Sequence, residues 1–117
     1  MKEELKKITE KLRAIKSAKI GILFGSQAKG CQKKESDIDI CVITEGNGDK
    51  PLEFSSPKYD ISLFHKLPLT FRYRALREGR VLFSKDGPLL AKVKFWTVKQ
   101  YLDEKYFRDR FVEKVLA

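Results

Sequence analysis

Cysteine and histidine are scarce in this sequence, with two cysteines and one histidine among 117 residues. This scarcity excludes a zinc cluster built from Cys and His, and it excludes a fold held by several disulfides. We expect no structural disulfide between Cys31 and Cys41, because Cys41 lies in an apolar run and reads as a small core residue. The single histidine, His65, follows a predicted strand without a partner motif, so we interpret it as structural or solvated.

Long apolar runs are also missing, and none approaches the ~18 residues that a membrane span needs. The N-terminus is rich in Lys and Glu and has no apolar signal region, so a cytoplasmic protein without membrane contact is predicted. There is no internal repeat, low-complexity segment or linker. A chain of 117 residues suits one compact domain. We therefore predict a single domain over 1–117, with a helical extension at about 88–117.

Positive charge is in excess, because 25 basic residues against 16 acidic ones give a formal net charge of +9. Such a field attracts nucleotides, nucleic acid or an acidic partner. The basic residues are spread over most of the chain, without a dense tract or interleaved RNA-binding aromatic residues. A solvated surface is therefore favoured over nucleic-acid binding.

The hydrophobic periodicity predicts an α/β (α+β) fold, a mixed β-sheet flanked by helices. The predicted strands and helices are, in order, a helix at 2–17, strands at 19–24, 37–43 and 57–64, a helix at 69–78, a strand at 80–83, and one long or two broken helices from 88 onward. The stretch 44–51 is rich in Gly, Asn and Asp, so we expect a hairpin-like connection and antiparallel pairing of the strands on either side. The aromatic residues after position 88 are interpreted mostly as core and sheet cover, with an interface as the alternative.

Two carboxylates stand close together at the start of the second strand. Asp37 and Asp39 are two residues apart, which on a strand places both on one face while Ile38 and Ile40 point to the other. Mg²⁺ takes one or two carboxylates together with substrate phosphates. Alone, however, this pattern is equally consistent with solvated acids on a strand.

A possible phosphate site precedes these carboxylates. Gly25 and Ser26 leave a buried strand for a turn, which presents backbone N–H groups and a hydroxyl to an anion, and Lys29 adds positive charge. Taken alone, Gly-Ser is only a turn signal. A third carboxylate, Asp60, lies on the polar side of the strand at 57–64, where the alternative is a lone solvent-facing acid.

In combination, Gly25-Ser26 followed after ten residues by Asp37-Ile-Asp39 resembles the signature of the nucleotidyltransferase superfold shared with DNA polymerase beta. Over about 20–83 the chain resembles the minimal nucleotidyltransferases, the MNT proteins that often accompany a HEPN-domain protein. The segment 76–83 is similar to the family's Arg-Glu-Gly-x-Val-Leu segment. Gln27 departs from the pattern, because Arg is common at that place.

The resemblance implies a Mg²⁺-dependent enzyme that transfers a nucleotidyl group, AMP from ATP, to a hydroxyl and releases pyrophosphate. It implies two Mg²⁺ ions and an antitoxin role in which AMP is added to a HEPN toxin. The residues predicted for the site are Asp37, Asp39 and Asp60 as catalytic residues and metal ligands, and Gly25, Ser26 and Lys29 for nucleotide phosphates. The open alternatives are an inactive nucleotide-binding or partner-docking module and a transferase acting on a small molecule such as an aminoglycoside. Self-association is left open.

Overall fold

The computed structural model describes residues 2–25, 38–46 and 48–116. The helices and strands are α1 (Lys2–Arg13), β1 (Ala18–Phe24), β2 (Ile38–Thr44), β3 (Tyr59–Leu63), α2 (Leu69–Glu78), β4 (Arg80–Ser84) and α3 (Gly87–Leu116), with 3-10 turns at Lys50–Phe54 and Phe64–Lys66. The four strands form one sheet in the order β3-β2-β1-β4. The β1 strand is antiparallel to both β2 and β4, whereas β2 and β3 are parallel. The predicted mixed sheet flanked by helices is confirmed.

The expected hairpin between β2 and β3 is wrong. The chain leaves β2 at Thr44, forms the 3-10 turn Lys50–Phe54, and enters β3 in the same direction as β2. Pro51 in this turn is buried, and Phe54 packs against the core beside α1. A crossover between parallel strands needs about a dozen residues, which the connection supplies. The Gly- and Asp-rich composition therefore indicated a break in the strand but not the direction of the strand that followed.

The two faces of the sheet carry separate cores. On one face, Ile38 and Ile40 pack with Ile8 and Leu12 of α1. On the other face, Cys41 packs with Ile22 and with residues of α2 and α3. This alternation along β2 follows from the period-two geometry of a strand. Asp39 therefore lies on the face shared with α2 and α3.

The exposed edge of β3 is closed by the segment that precedes it. The hydroxyl of Ser55 accepts a hydrogen bond from the Ile61 N–H (3.3 Å) and lies 3.4 Å from the Ile61 carbonyl oxygen. The backbone of Ser56 exchanges hydrogen bonds with Tyr59, at 2.9 and 3.2 Å. Edge strands commonly have unpaired backbone groups that attract a further strand. At Tyr59 and Ile61 these groups are already paired.

The C-terminal helix α3 is continuous over 30 residues, Gly87–Leu116. Its first half packs on α2, where Tyr73 and Tyr101 stack with ring centroids 3.9 Å apart. The interpretation of the later aromatic residues as core is wrong, because Phe95, Phe107 and other large side chains of α3 are exposed. A helix of this length spans about 45 Å, which exceeds what the short α2 can cover. No helix in the described part of the chain has the unbroken apolar length that crossing a bilayer requires.

Cys41 supplies a test of the packing between the sheet and α2. The thiol is fully buried, and this burial raises its pKa to about 12. The unfolded thiol ionises near pH 9, so burial of the neutral thiol contributes stability below pH 9 that is lost as the pH rises towards 12. In a Cys31→Ser background we expect iodoacetamide to label Cys41 only as fast as the protein unfolds, up to pH 9. The control is the same protein in urea, where labelling should be rapid, and rapid labelling of the native fold would contradict the packing.

Candidate active site

Strand register brings two of the predicted carboxylates side by side. Asp39 of β2 is the register partner of Asp60 in β3 on one side and of Phe24 in β1 on the other. Adjacent strands lie about 4.8 Å apart, and register partners on adjacent strands point to the same face. Asp39 is half-buried and Asp60 is exposed. The sequence alone placed each acid on a polar strand face, and the parallel register joins them into one pair.

Gly25, which directly follows β1, lies against the Asp39 carboxylate. Its φ of +82° belongs to the left-handed region, where a side chain is strained. A Cβ atom at this position would lie 2.6 Å from Oδ2 of Asp39. The structure thus places Gly25, from the Gly-Ser half of the motif, against Asp39, from the Asp-x-Asp half. Gly25 was predicted to bind phosphate, and the structure adds that its lack of a side chain leaves room for the carboxylate.

The sequence interpretation missed the role of Gly79 beside this site. Gly79 was predicted as a helix cap, and its N–H does donate to the carbonyl of Ala75 at 2.9 Å. Its φ of −78° is ordinary, however, so conformational freedom does not explain the glycine. A Cβ atom would lie 2.6 Å from Cγ2 of Ile22 and 2.9 Å from the carbonyl oxygen of Leu23. Gly79 therefore lets the end of α2 pack directly on β1, two residues before Gly25.

Three predicted site residues, Ser26, Lys29 and Asp37, lie outside the described residues. Within 2–25, 38–46 and 48–116, no group of three or more His, Cys, Asp or Glu residues is arranged to hold a metal ion. The described part of the predicted metal site is the pair Asp39 and Asp60. The metal-ligand and phosphate-binding roles remain predictions.

An ion pair joins the start of β3 to α1. Lys58 donates to the carboxylate of Glu4, which lowers the pKa of Glu4 and raises the pKa of Lys58. Both side chains are largely exposed, so the pair contributes little to the free energy of unfolding. The Lys58 carbonyl also accepts a hydrogen bond from the Ile38 N–H at 2.8 Å. This bond ties the beginnings of β2 and β3 together, immediately before the two acids.

His65 is exposed, in agreement with its interpretation as a solvated residue. With Ser62 and Lys66 it lines a cleft of about 550 Å³ beside the later part of β3. Of the predicted site residues that the structure describes, Gly25, Asp39 and Asp60, none lines this cleft.

The comparison with family models decides the class of this chain. Residues 3–87 match the model described as polymerase beta, nucleotidyltransferase. The chain belongs to this nucleotidyltransferase family. The matched range ends where α3 begins, and it contains Gly25, Asp39 and Asp60. The enzyme class predicted from the motifs, a nucleotidyltransferase, is confirmed.

Two curated relatives come from Methanocaldococcus jannaschii. "Putative protein adenylyltransferase MJ0604" is 36% identical over 101 residues, which cover 71% of this chain and 100% of that protein. A protein with the same description, MJ1547, is 34% identical over 67 residues, which cover 56% of this chain and 55% of the relative. The match thus spans about half the length of MJ1547. Both names agree with the resemblance drawn from the motifs, which is confirmed.

Solved structures of other proteins share this fold. A chain of a toxin-antitoxin complex with AMP-PNP superimposes with a TM-score of 0.77 at 22% identity, covering 97% of this chain and 98% of that chain. A chain of a complex of the tri-AMPylated HEPN toxin of Shewanella oneidensis with its MNT antitoxin gives a TM-score of 0.71 at 18% identity, with full coverage of both chains. At these identities the likeness establishes the polymerase beta-like fold.

Because Gly25 lies against Asp39, we expect an alanine at position 25 to reduce activity by more than its effect on stability explains. In Gly25→Ala the new methyl group has to displace the Asp39 carboxylate, which lies at the far end of its side chain. Gly46, with φ +71° and nothing within 4 Å of its missing Cβ, is the matched control. Both substitutions should lower the free energy of unfolding by about 1–2 kcal/mol, because both force a left-handed backbone on alanine.

Only Gly25→Ala should also reduce nucleotidyl transfer. Urea unfolding and a transfer assay on both variants check this expectation. Equal transfer by the two alanine variants would contradict a role for the close approach of Gly25 to Asp39.

Proposed function

We propose that the protein is a Mg²⁺-dependent adenylyltransferase that moves AMP from ATP to a hydroxyl group. The observation that carries the proposal is the juxtaposition of Asp39 and Asp60 on one face of the sheet, with Gly25 against the Asp39 carboxylate. The names of the curated relatives support adenylyl transfer, and AMP-PNP in a structural neighbour supports ATP. Residues 1–117 would act as one domain with α3 as its extension.

The donor atoms fit a hard divalent cation. Asp39 and Asp60 offer carboxylate oxygens from neighbouring strands, and oxygen is the ligand that Mg²⁺ prefers. Asp37, by its position two residues before Asp39, would complete the predicted set of ligands for two ions. When bound, Mg²⁺ would lower the pKa of the attacking hydroxyl and neutralise charge on the phosphates.

In the proposed reaction, the acceptor oxygen attacks the α-phosphorus of ATP. A new phosphorus–oxygen bond forms, the bond to the pyrophosphate oxygen breaks, and pyrophosphate leaves. Asp60 accepts the proton of the hydroxyl, a role that suits the more exposed of the two described acids. Gly25, Ser26 and Lys29 would hold the terminal phosphates and so orient the leaving group in line with the attack.

For the acceptor we propose a hydroxyl on a HEPN-domain partner protein. The support is a structural neighbour, in which the HEPN toxin is tri-AMPylated and bound to an MNT antitoxin. The closed edge of β3 at Tyr59 and Ile61 limits the directions from which such an acceptor can reach the carboxylates. It leaves no free backbone groups there for an added strand, so the acceptor hydroxyl would approach over the face of the sheet.

The competing function is a partner-docking module without catalysis. The exposed aromatic side chains of α3 favour docking. Docking does not require paired carboxylates beside a left-handed glycine, however. Docking by itself is compatible with transfer, so the result that would favour the competing function is a folded wild-type protein that binds its partner and transfers no AMP.

Metal binding is tested by thermal unfolding. Mg²⁺ should raise the melting temperature, because a ligand that binds only the folded state stabilises it. In Asp39→Asn this response should be lost or strongly reduced. Asp49→Asn is the matched control, because Asp49 is exposed and its side chain caps no helix. A melting temperature that does not change on addition of millimolar Mg²⁺, with or without ATP, would argue against the metal site.

The role of Asp60 is tested by separating binding from chemistry. Asp60→Asn should leave ATP binding largely intact and reduce transfer by ~100-fold or more, the usual contribution of a positioned base. Calorimetry with ATP and transfer of labelled AMP to a co-expressed HEPN-domain partner are the measurements. Asp49→Asn again serves as the control. Wild-type transfer by Asp60→Asn would exclude Asp60 from the mechanism.

A further inference from the structure

The two edges of the sheet differ in how they are closed. At β3, the segment Ser55–Ser56 hydrogen-bonds the outward-facing backbone groups of Tyr59 and Ile61. At the other edge β4 pairs with β1, and within the described residues no segment pairs with its outer side. An uncovered edge strand is a template for a further strand. We call the outer side of Arg80–Ser84 the open edge.

A groove of about 390 Å³ lies between the open edge and α1. Leu5 of α1 and Leu82 of β4 line it, and both are half-buried against the core. The polar and charged side chains that line the groove are Lys6, Thr9, Glu10, Arg13 and Arg80. A strand added to β4 would direct every second side chain to the α1 side of the sheet. Those side chains would enter this groove.

Positive charge exceeds negative charge in the groove. Lys6, Arg13 and Arg80 line it together with one acid, Glu10. All four side chains are exposed. Within the described residues none of the three cations forms an ion pair, and Arg13 lies over the Phe83 ring with Cζ 5.8 Å from the ring centroid. A carboxylate that entered the groove would therefore meet cations that the described residues leave unpaired.

The acids nearest to the groove in the sequence lie elsewhere. Glu3 is on α1 but does not line the groove. Before β4, Glu78 lies 3.9 Å from Nε of Arg74. After β4, the Asp86 carboxylate accepts a hydrogen bond from the Leu89 N–H at 3.0 Å. These three acids therefore do not balance the charge of the groove.

Lys85 extends the positive charge beyond the C-terminal end of β4. Its Nζ donates to the carbonyl oxygen of Ile15 at 2.9 Å, two residues after α1 ends. Burial, and then repulsion from Lys19 and Arg13, lowers the pKa of the Lys85 amine. Lys19 is paired with Glu45 at 3.4 Å. Arg13 thus lies in the field of further cations, and an acidic ligand would reduce their repulsion.

We propose that the open edge binds an acidic, extended segment of a partner protein, which adds to the sheet as a fifth strand. Main-chain hydrogen bonds to β4 would supply affinity. Acidic side chains at alternate positions would enter the groove and pair with Lys6, Arg13 and Arg80. The groove lies on the α1 face of the sheet, whereas Asp39 lies on the other face, so the proposal does not depend on the proposed function.

A second copy of this chain is a poorer occupant of the open edge. Antiparallel pairing of two β4 strands about Leu82 would set Arg80 of each copy opposite Ser84 and diagonal to Lys85 of the other. Each copy would also bring its own unpaired cations to the contact, and like charges across a strand pair are destabilising. Short length and basic residues on an edge strand also oppose self-association. Neither feature opposes an acidic strand.

The first test measures binding of a fluorescent six-residue peptide of alternating Glu and Thr by fluorescence anisotropy with the full chain. Extended, this peptide is about 20 Å long, enough to span the five residues of β4. Lys6→Glu/Arg13→Glu should weaken binding roughly tenfold or more and should favour a peptide of alternating Lys and Thr.

The matched control is Lys7→Glu/Lys11→Glu. It makes the same change of charge on α1 at two exposed residues that do not line the groove. Only the long-range field changes in this control, so binding should weaken by less than about threefold at physiological salt.

The second test distinguishes strand addition from attraction by charge, and it needs no protein variant. N-methylation of alternate amides keeps the charge of the Glu-Thr peptide but removes the N–H groups along one of its edges. Two peptides are compared, each methylated along a different edge. An added strand pairs through one edge, so one peptide should lose binding and the other should keep it.

Four outcomes would overturn the proposal. The first is no binding of the Glu-Thr peptide up to millimolar concentration, and the second is equal weakening by the two charge variants. The third is unchanged binding of both methylated peptides. The fourth is a short uridine oligonucleotide that binds more tightly and displaces the peptide, which would assign the cations to nucleic acid. Adenylyl transfer is measured separately, so failure here leaves the proposed function standing.

Discussion

Backbone pairing of β2 with a strand on each side holds Asp39 between Phe24 and Asp60. Because side chains alternate along a strand, a slip of β2 by one residue would turn Asp39 into the core of α1 and bring Ile38 or Ile40 to the site face. The burial of Ile38 and Ile40 against α1 makes such a slip costly. The apolar core on one face therefore fixes the position of the carboxylate on the other.

Sequence pattern predicted most of the regular structure for identifiable reasons. The helix α2 begins at Leu69 and ends at Glu78, as predicted, because Pro68 and Gly79 bracket a periodic stretch. The alternation in β3 was also predicted correctly, since Ile61 and Leu63 are buried and Asp60 is exposed. Helix-end signals and strand alternation depend on residues close together in the chain, so a single sequence is enough to predict them.

The errors arose where the deciding interaction is not local. The direction of β3 depends on how the connection after β2 packs, and Pro51 and Phe54 in that connection gave no periodic signal. The α3 helix was predicted to cover the sheet because its side chains are apolar, yet periodicity does not reveal how far a helix outruns its neighbours. At the site, the sequence predicted that the strands of Asp39 and Asp60 are neighbours, but the pairing of these two acids needed the parallel direction and the register. The roles of Ser26, Lys29 and Asp37 still depend on the motif alone.

The segment Ser55–Ser56 has a consequence for how this protein can diversify. This segment hydrogen-bonds the outward-facing backbone groups of Tyr59 and Ile61 in β3. An acceptor therefore cannot form backbone hydrogen bonds with the sheet at these two residues. Choice of acceptor must then reside in side chains and loops around the face, which make no ladder hydrogen bonds. Those positions can be exchanged without disturbing the register that holds the acids. The strands that hold the acids and the residues that select the acceptor are thus separate. The acceptor-selecting residues can change during evolution while the strands stay the same.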